Sequence, residues 1–109
     1  MAQPSPIEKP EVRGRILAAT RAGATRGDAA RQAGVGESTF RRWLAVGAHD
    51  DREDVESLHR ELRDRVRRAE AEARAQAVAA LRHTMLDDAR WTLEYLQRRA
   101  RNDRIEAAG

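Results

Sequence analysis

Apolar residues along the 109-residue chain recur every three or four positions, and no segment alternates apolar with polar as a half-buried strand would. The fold class this predicts is all-α. The pattern starts at Val12, Ile16 and Leu17, one narrow stripe on a helix expected from about Pro10 to Arg21. Pro10 and Glu11 suit its first turn, and Gly23 suits its end. A short second helix follows Thr25, which can cap it, with Asp28 reaching back as the acid of a capping box and Gly34 supplying the left-handed backbone that ends it. Ala29, Ala30 and Ala33 provide the small side chains that a steep crossing with the next helix needs. Gly36 and Glu37 open that third helix. Phe40, Trp43 and Leu44 then fall on one inward face, with Val35 beside them in the turn. Residues 10–47 therefore read as a three-helix, helix-turn-helix module.

The rhythm fails on both sides of this module. The opening MAQPSPIEKP holds three prolines and little apolar content, so residues 1–9 read as a flexible tail that the fold can spare. After the module Gly47 interrupts the pattern, which places a hinge over Ala45 to Asp50 and lets Asp50 or Asp51 begin the next helix. From Asp51 to about Met85 the residues Val55, Leu58, Leu62, Val66, Ala69, Ala73, Ala77 and Ala80 recur at spacings of three and four. After Leu58 these spacings make an eleven-residue repeat, the signature of helices packed nearly straight or with a slight right-handed twist. Such a helix is ~50 Å long, more than a small N-terminal core can cover. Its stripe needs another partner: the last helix, Asp87 to about Arg104, folding back as a hairpin, or the same helix in neighbouring subunits. On that last helix Leu93 and Leu96 share a face with Ala89 and Ala100, whereas Trp91 and Tyr95 lie on another, where they either widen the hairpin or serve self-association. A hairpin over 51–104, a tail over 105–109, and an oligomerisation set of Val55, Leu58, Leu62, Val66, Ala69, Ala73, Trp91 and Tyr95 follow from this reading.

Charge adds a direction to the pattern. From Arg13 to Arg42 seven arginines meet two acids, whereas from Asp51 onward thirteen arginines meet thirteen acids. A basic half joined to a balanced half suits a chain that holds nucleic acid at one end and protein at the other. On the outward face of the third helix stand Glu37, Ser38, Arg41 and Arg42, where the first residues of a recognition helix meet base edges in the major groove. Thr39, Thr25 and Arg26, with the free backbone amides at the helix starts, are placed for phosphates. The expected partner is double-stranded DNA.

Catalysis and cofactors find no seat in the sequence. His49, His59 and His83 are the only histidines and none pairs with another at helical spacing, no phosphate-binding glycine loop is present, and the aspartates near 50 and 87 read as helix-start acids. The expectation is a non-enzyme with no catalytic residue, metal or cofactor. Without cysteine there is no disulfide framework, and without a long apolar run no membrane span or signal peptide is expected, which points to a cytoplasmic setting.

The run GVGESTFRRWLAVG, the acidic-to-basic long helix, the EAEARAQAVAAL stretch and the YLQRR segment together resemble the small terminase subunits of tailed bacteriophages and related helix-turn-helix proteins of prophages. The resemblance implies a non-catalytic subunit that recognises the viral packaging site, assembles as a ring, and presents DNA to the large terminase subunit, an ATPase and nuclease. It gives DNA recognition to Glu37, Ser38, Thr39, Arg41 and Arg42, and ring assembly to the helix through Leu58, Leu62 and Val66. Two other classes remain open: a small dimeric transcriptional regulator or excisionase-like protein, and an adaptor whose hairpin binds protein.

Overall fold

The computed structural model describes residues 5–108, in which every regular element is helical. Helix α1 spans Pro10–Arg21, α2 Arg26–Gln32, α3 Glu37–Arg52 and α4 Leu58–Ala108. The chain divides after Ala75 into two units, so the first 18 residues of α4 belong to the N-terminal unit and the rest form the second.

The short elements arise where the local chemistry puts them. Gly23 and Gly34 take φ of +95° and +75°, a region open to glycine without a Cβ penalty, and so turn the chain after α1 and after α2. Thr25 caps α2 by accepting the Asp28 amide at 3.2 Å. Only half of the expected capping box forms, because the Asp28 carboxylate turns to Arg31. Helix α1 packs on α2, and α2 on α3. Their enclosed face holds Val12, Ile16, Leu17, Ala29, Ala30, Ala33, Val35, Phe40, Trp43 and Leu44, which are the inward positions expected.

Three expectations about the flanks are corrected. The tail over 1–9 is not spare: Pro6–Glu8 form a 3₁₀ turn capped by Ser5 and Glu8, and Ile7 is only 3 % exposed in the core, while residues 1–4 lie outside the described residues. Arg13 fixes this turn by donating to the Ile7 carbonyl at 2.6 Å. Nor is there a hinge over Ala45 to Asp50, since α3 continues through Gly47 to Arg52. A Cβ at Gly47 would lie 2.4 Å from the His59 carbonyl oxygen, so the missing side chain permits close approach of α3 and α4 instead of breaking a helix. The turn comes later, at 53–57. There Asp54 takes φ +54° and the Val55 amide donates back to the Asp50 carbonyl at 2.8 Å, closing α3 in the manner of a Schellman motif without glycine.

Helix α4 therefore starts after Ser57 and not at Asp50 or Asp51. The Ser57 hydroxyl accepts the Arg60 amide at 3.0 Å and donates to Asp50 at 2.6 Å, capping one helix while tying it to the end of another. Asp51 sits at the unfavourable, negative end of α3. Arg60, 3.2 Å away, offsets its charge.

The long stripe also has a different owner. Leu62, Val66 and Ala69 are 1 % exposed or less and complete the core of the N-terminal unit, where each large side chain contributes roughly 1.5–3 kcal/mol. They are consumed within the chain and are not an oligomer contact. Val55 lies exposed in the turn, Leu58 is exposed at the first position of α4, and Ala73 is half-buried. In place of the hairpin over 51–104 there is one uninterrupted helix, which also absorbs the tail residues 105–108; Gly109 lies outside the described residues. The cause is simple: no glycine or proline occurs between Leu58 and Ala108, and the acidic pair at 87–88 sits inside the helix with Asp87 3.4 Å from His83 one turn earlier.

In the second unit Val78, Leu81, Met85, Ala89, Leu93, Leu96 and Ala100 fall on one side of the helix, all exposed. Steps of eleven separate Val78, Ala89 and Ala100, but this side is out of register with the repeat read from Leu58, whose further positions are Trp91 and Tyr95. Trp91 and Tyr95, 69 % and 58 % exposed, stand on a different side. No helix among the described residues is long and apolar enough to cross a membrane.

Candidate functional site

Helix α3 is buried along Phe40, Trp43, Leu44 and Gly47, so its opposite side is the one offered to a partner. That side carries Ser38, Arg41, Arg42, Ala45, His49 and Arg52, all exposed. Of the residues expected to touch DNA, Ser38, Arg41 and Arg42 are brought together there.

The others are arranged differently. Glu37 is exposed but engaged: its carboxylate accepts from Arg41 at 3.1 Å and stands 4.0 Å from Arg31, so it orients Arg41 across the helix surface. Thr39 is half-buried on the flank of α3. Thr25 uses its hydroxyl as the cap of α2. Arg26 turns to α4, where it donates to both carboxylate oxygens of Glu70 at 2.9 and 3.0 Å. That paired geometry raises the Arg26 pKa and holds the Glu70 carboxyl below its usual range, in each case chiefly through their shared hydrogen bonds and against the opposing effect of partial burial. Asp28 is lowered as well, first by Arg31 and then by Thr25.

His49 and Arg52 join this surface without having been singled out by sequence reasoning. They follow from the true length of α3. Once Gly47 is read as an interior position, the spacing Ser38, Arg42, Ala45, His49, Arg52 runs along one side for four turns.

Beside this face α3 and α4 border a cleft of about 440 Å³. Phe40 and Leu44, nearly enclosed, lie with Ala45 and Ala48 at its apolar part. Arg26, Arg41, Arg63 and Arg67 supply four guanidinium groups against the single carboxylate of Glu37. Sequence reasoning had no means to find it, because Arg63 and Arg67 look like every other arginine of α4 until the packing of Leu62 and Val66 turns them toward α3.

Among the described residues no group of three or more His, Cys, Asp or Glu side chains is placed to hold a metal ion. The site is a basic, convex helix face with an arginine-lined cleft along one edge. Comparison of the chain with protein-family models, with curated proteins and with solved structures gives no match.

Proposed function

We propose that the chain is a non-catalytic DNA-binding protein in which α2, the turn through Gly34 and α3 act as a helix-turn-helix, with α3 entering the major groove. One observation carries the reading: α3 is buried along Phe40, Trp43 and Leu44 while Ser38, Arg41 and Arg42 stand exposed together on its opposite side, near its N-terminal end. Helices of this motif contact base edges with those first residues, and arginine is the commonest bidentate partner of guanine. The local positive balance and the length of the exposed side, extended by His49 and Arg52, support it.

The wider role we propose is that of the DNA-recognition subunit of a viral packaging terminase, bound to the packaging site as a homo-oligomeric ring and presenting DNA to the large subunit. The sequence resemblance supports that role. Self-association is supported by the exposed side Val78, Leu81, Met85, Leu93 and Leu96, because a lone amphipathic helix gains most of its stability by covering its apolar face. Several copies on one DNA would also raise the effective concentration of each weak module. A second reading, a dimeric regulator of a prophage or mobile element, is favoured by the continuity of α4, since an unbroken helix with an apolar side suits pairing with one like helix.

Titration of labelled duplex DNA by fluorescence anisotropy tests the first claim. Arg42→Ala is expected to weaken binding roughly tenfold or more, in line with the ~1–3 kcal/mol of a bidentate base contact. Wild-type affinity in this variant overturns the assignment of the reading face. A mass of many copies supports the ring, and a mass of two supports the regulator.

A further inference from the structure

We propose that the cleft between α3 and α4 is a clamp for the DNA backbone, with Arg63 and Arg67 gripping phosphates of a strand that borders the groove entered by α3. This rests on the DNA-binding reading above and adds a second, sequence-independent contact supplied by α4.

The chemistry of the cleft calls for an anion. Arg63 has a side chain only 21 % exposed, yet its nearest acids, Asp51 and Asp64, stand at 3.8 and 3.9 Å, beyond hydrogen-bonding distance. Its N–H donors are not taken by these carboxylates and stay available to a phosphate. Arg67, one turn further along α4, has no ion pair among the described residues and lines the same cleft. The planar fork of arginine matches a phosphate bidentately.

The position fits as well as the charge. Arg41 is common to the cleft and to the exposed side of α3, so a strand following the edge of the groove passes from Arg41 to Arg63 and Arg67 without a gap in positive charge. Further along, Arg67, Arg68 and Arg74 line a neighbouring depression with Arg26, its partner Glu70 and Asp64, so arginines still outnumber acids there. The apolar wall of the cleft, offered chiefly by Ala45 and Ala48 over the buried Phe40 and Leu44, is suited to the sugar face of the strand and not to a free ion. Glu37 and Glu70 hold Arg41 and Arg26 in place, leaving the two α4 arginines as the donors available to phosphate.

Anisotropy titrations of the full chain against duplex DNA of two unrelated sequences, between about 50 and 200 mM salt, test the clamp. Arg63→Gln and Arg67→Gln are each expected to weaken binding to both sequences by the same factor, several-fold or more at the higher salt. Each should also reduce the slope of log K against log salt by about 0.9, the value for one lost phosphate contact. Arg67→Lys should retain the slope, because a point charge still displaces a counterion. Arg65→Gln, the same charge change at a residue paired with Glu61 at 2.9 Å, should leave the slope as it is. Arg63 lies close to the α3 crossing, so the thermal midpoint is read beside its affinity, and the exposed Arg67 carries the test if Arg63→Gln unfolds. Wild-type affinity and slope in Arg67→Gln, with binding still lost in Arg42→Ala, overturns the clamp and leaves the α3 reading intact. No binding of either duplex by the unaltered chain overturns both.

Discussion

Gly47 shows how one missing methyl group decides where an element ends. Glycine inside a helix ordinarily costs about 1 kcal/mol relative to alanine, which is why its appearance at this position suggests a break. Here the His59 carbonyl oxygen would sit 2.4 Å from an added Cβ, and the contact is with backbone that cannot swing aside. Gly47→Ala is therefore expected to destabilise the fold by roughly 1–3 kcal/mol despite its better helix propensity, measured as a lower urea midpoint at unchanged slope. A stabilised variant would mean that α3 and α4 do not approach this closely. Ionisation makes a second residue-scale test at Glu70. Its carboxyl is lowered by Arg26, so the stabilisation is present above the ordinary carboxylate range and is lost as pH falls through the lowered folded-state value. Glu70→Gln should then be less stable than the unaltered chain at neutral pH, with the gap closing as the pH drops below about 4. A gap that does not depend on pH would place the loss elsewhere than in the ion pair.

Helices α1 and α2 were legible in the chain because their signals are local and agree, with proline or threonine at the start and glycine at positive φ after the end, and the first half of α3 was legible from buried residues three or four apart. The boundaries that escaped depend on contacts distant in sequence. Ile7 looks like one apolar residue in a proline-rich tail until the core beside α1 is there to receive it. Ile7→Ala is accordingly expected to cost about 2–5 kcal/mol in a thermal or denaturant melt, whereas a spare tail would show almost no change. The turn at 53–57 was equally hidden, since Asp54 takes a conformation that glycine or asparagine would have announced. Asp54→Gly should relieve that backbone and raise stability by roughly 1 kcal/mol, its exposed contact with Arg60 counting for little. A loss of stability would show that the Arg60 contact matters more than the backbone. The acidic pair at 87–88 misled in the opposite sense, because acids can start a helix but cannot stop one.

Across the whole molecule, the apolar positions of α4 fall into two sets with different surroundings. Leu62, Val66 and Ala69 close the core of the N-terminal unit, and the residues from Val78 to Ala100 remain exposed. The two sets are out of register, since steps of eleven from Leu58 and Leu62 reach Trp91 and Tyr95 and not Val78 or Ala89, so they lie on different sides of α4. The basic face was legible in outline, because Arg41 and Arg42 were expected opposite the buried side of α3. The cleft beside it was not, because it exists only once α4 is packed. The proposed DNA contact and the proposed self-association rest on different residues, so on that proposal Leu81→Glu with Leu93→Glu is expected to reduce the assembly to single chains while leaving the melting of the N-terminal core nearly unchanged. An unaltered mass in that double variant would remove the Val78 to Ala100 side from the assembly.

Native mass spectrometry of the intact chain mixed with duplex DNA tests the central claim most directly, because it reads subunit number and bound duplex in one spectrum. The expected result is a complex of several identical chains carrying duplex DNA. A spectrum of single chains with no duplex attached, at low salt and in excess DNA, would contradict it.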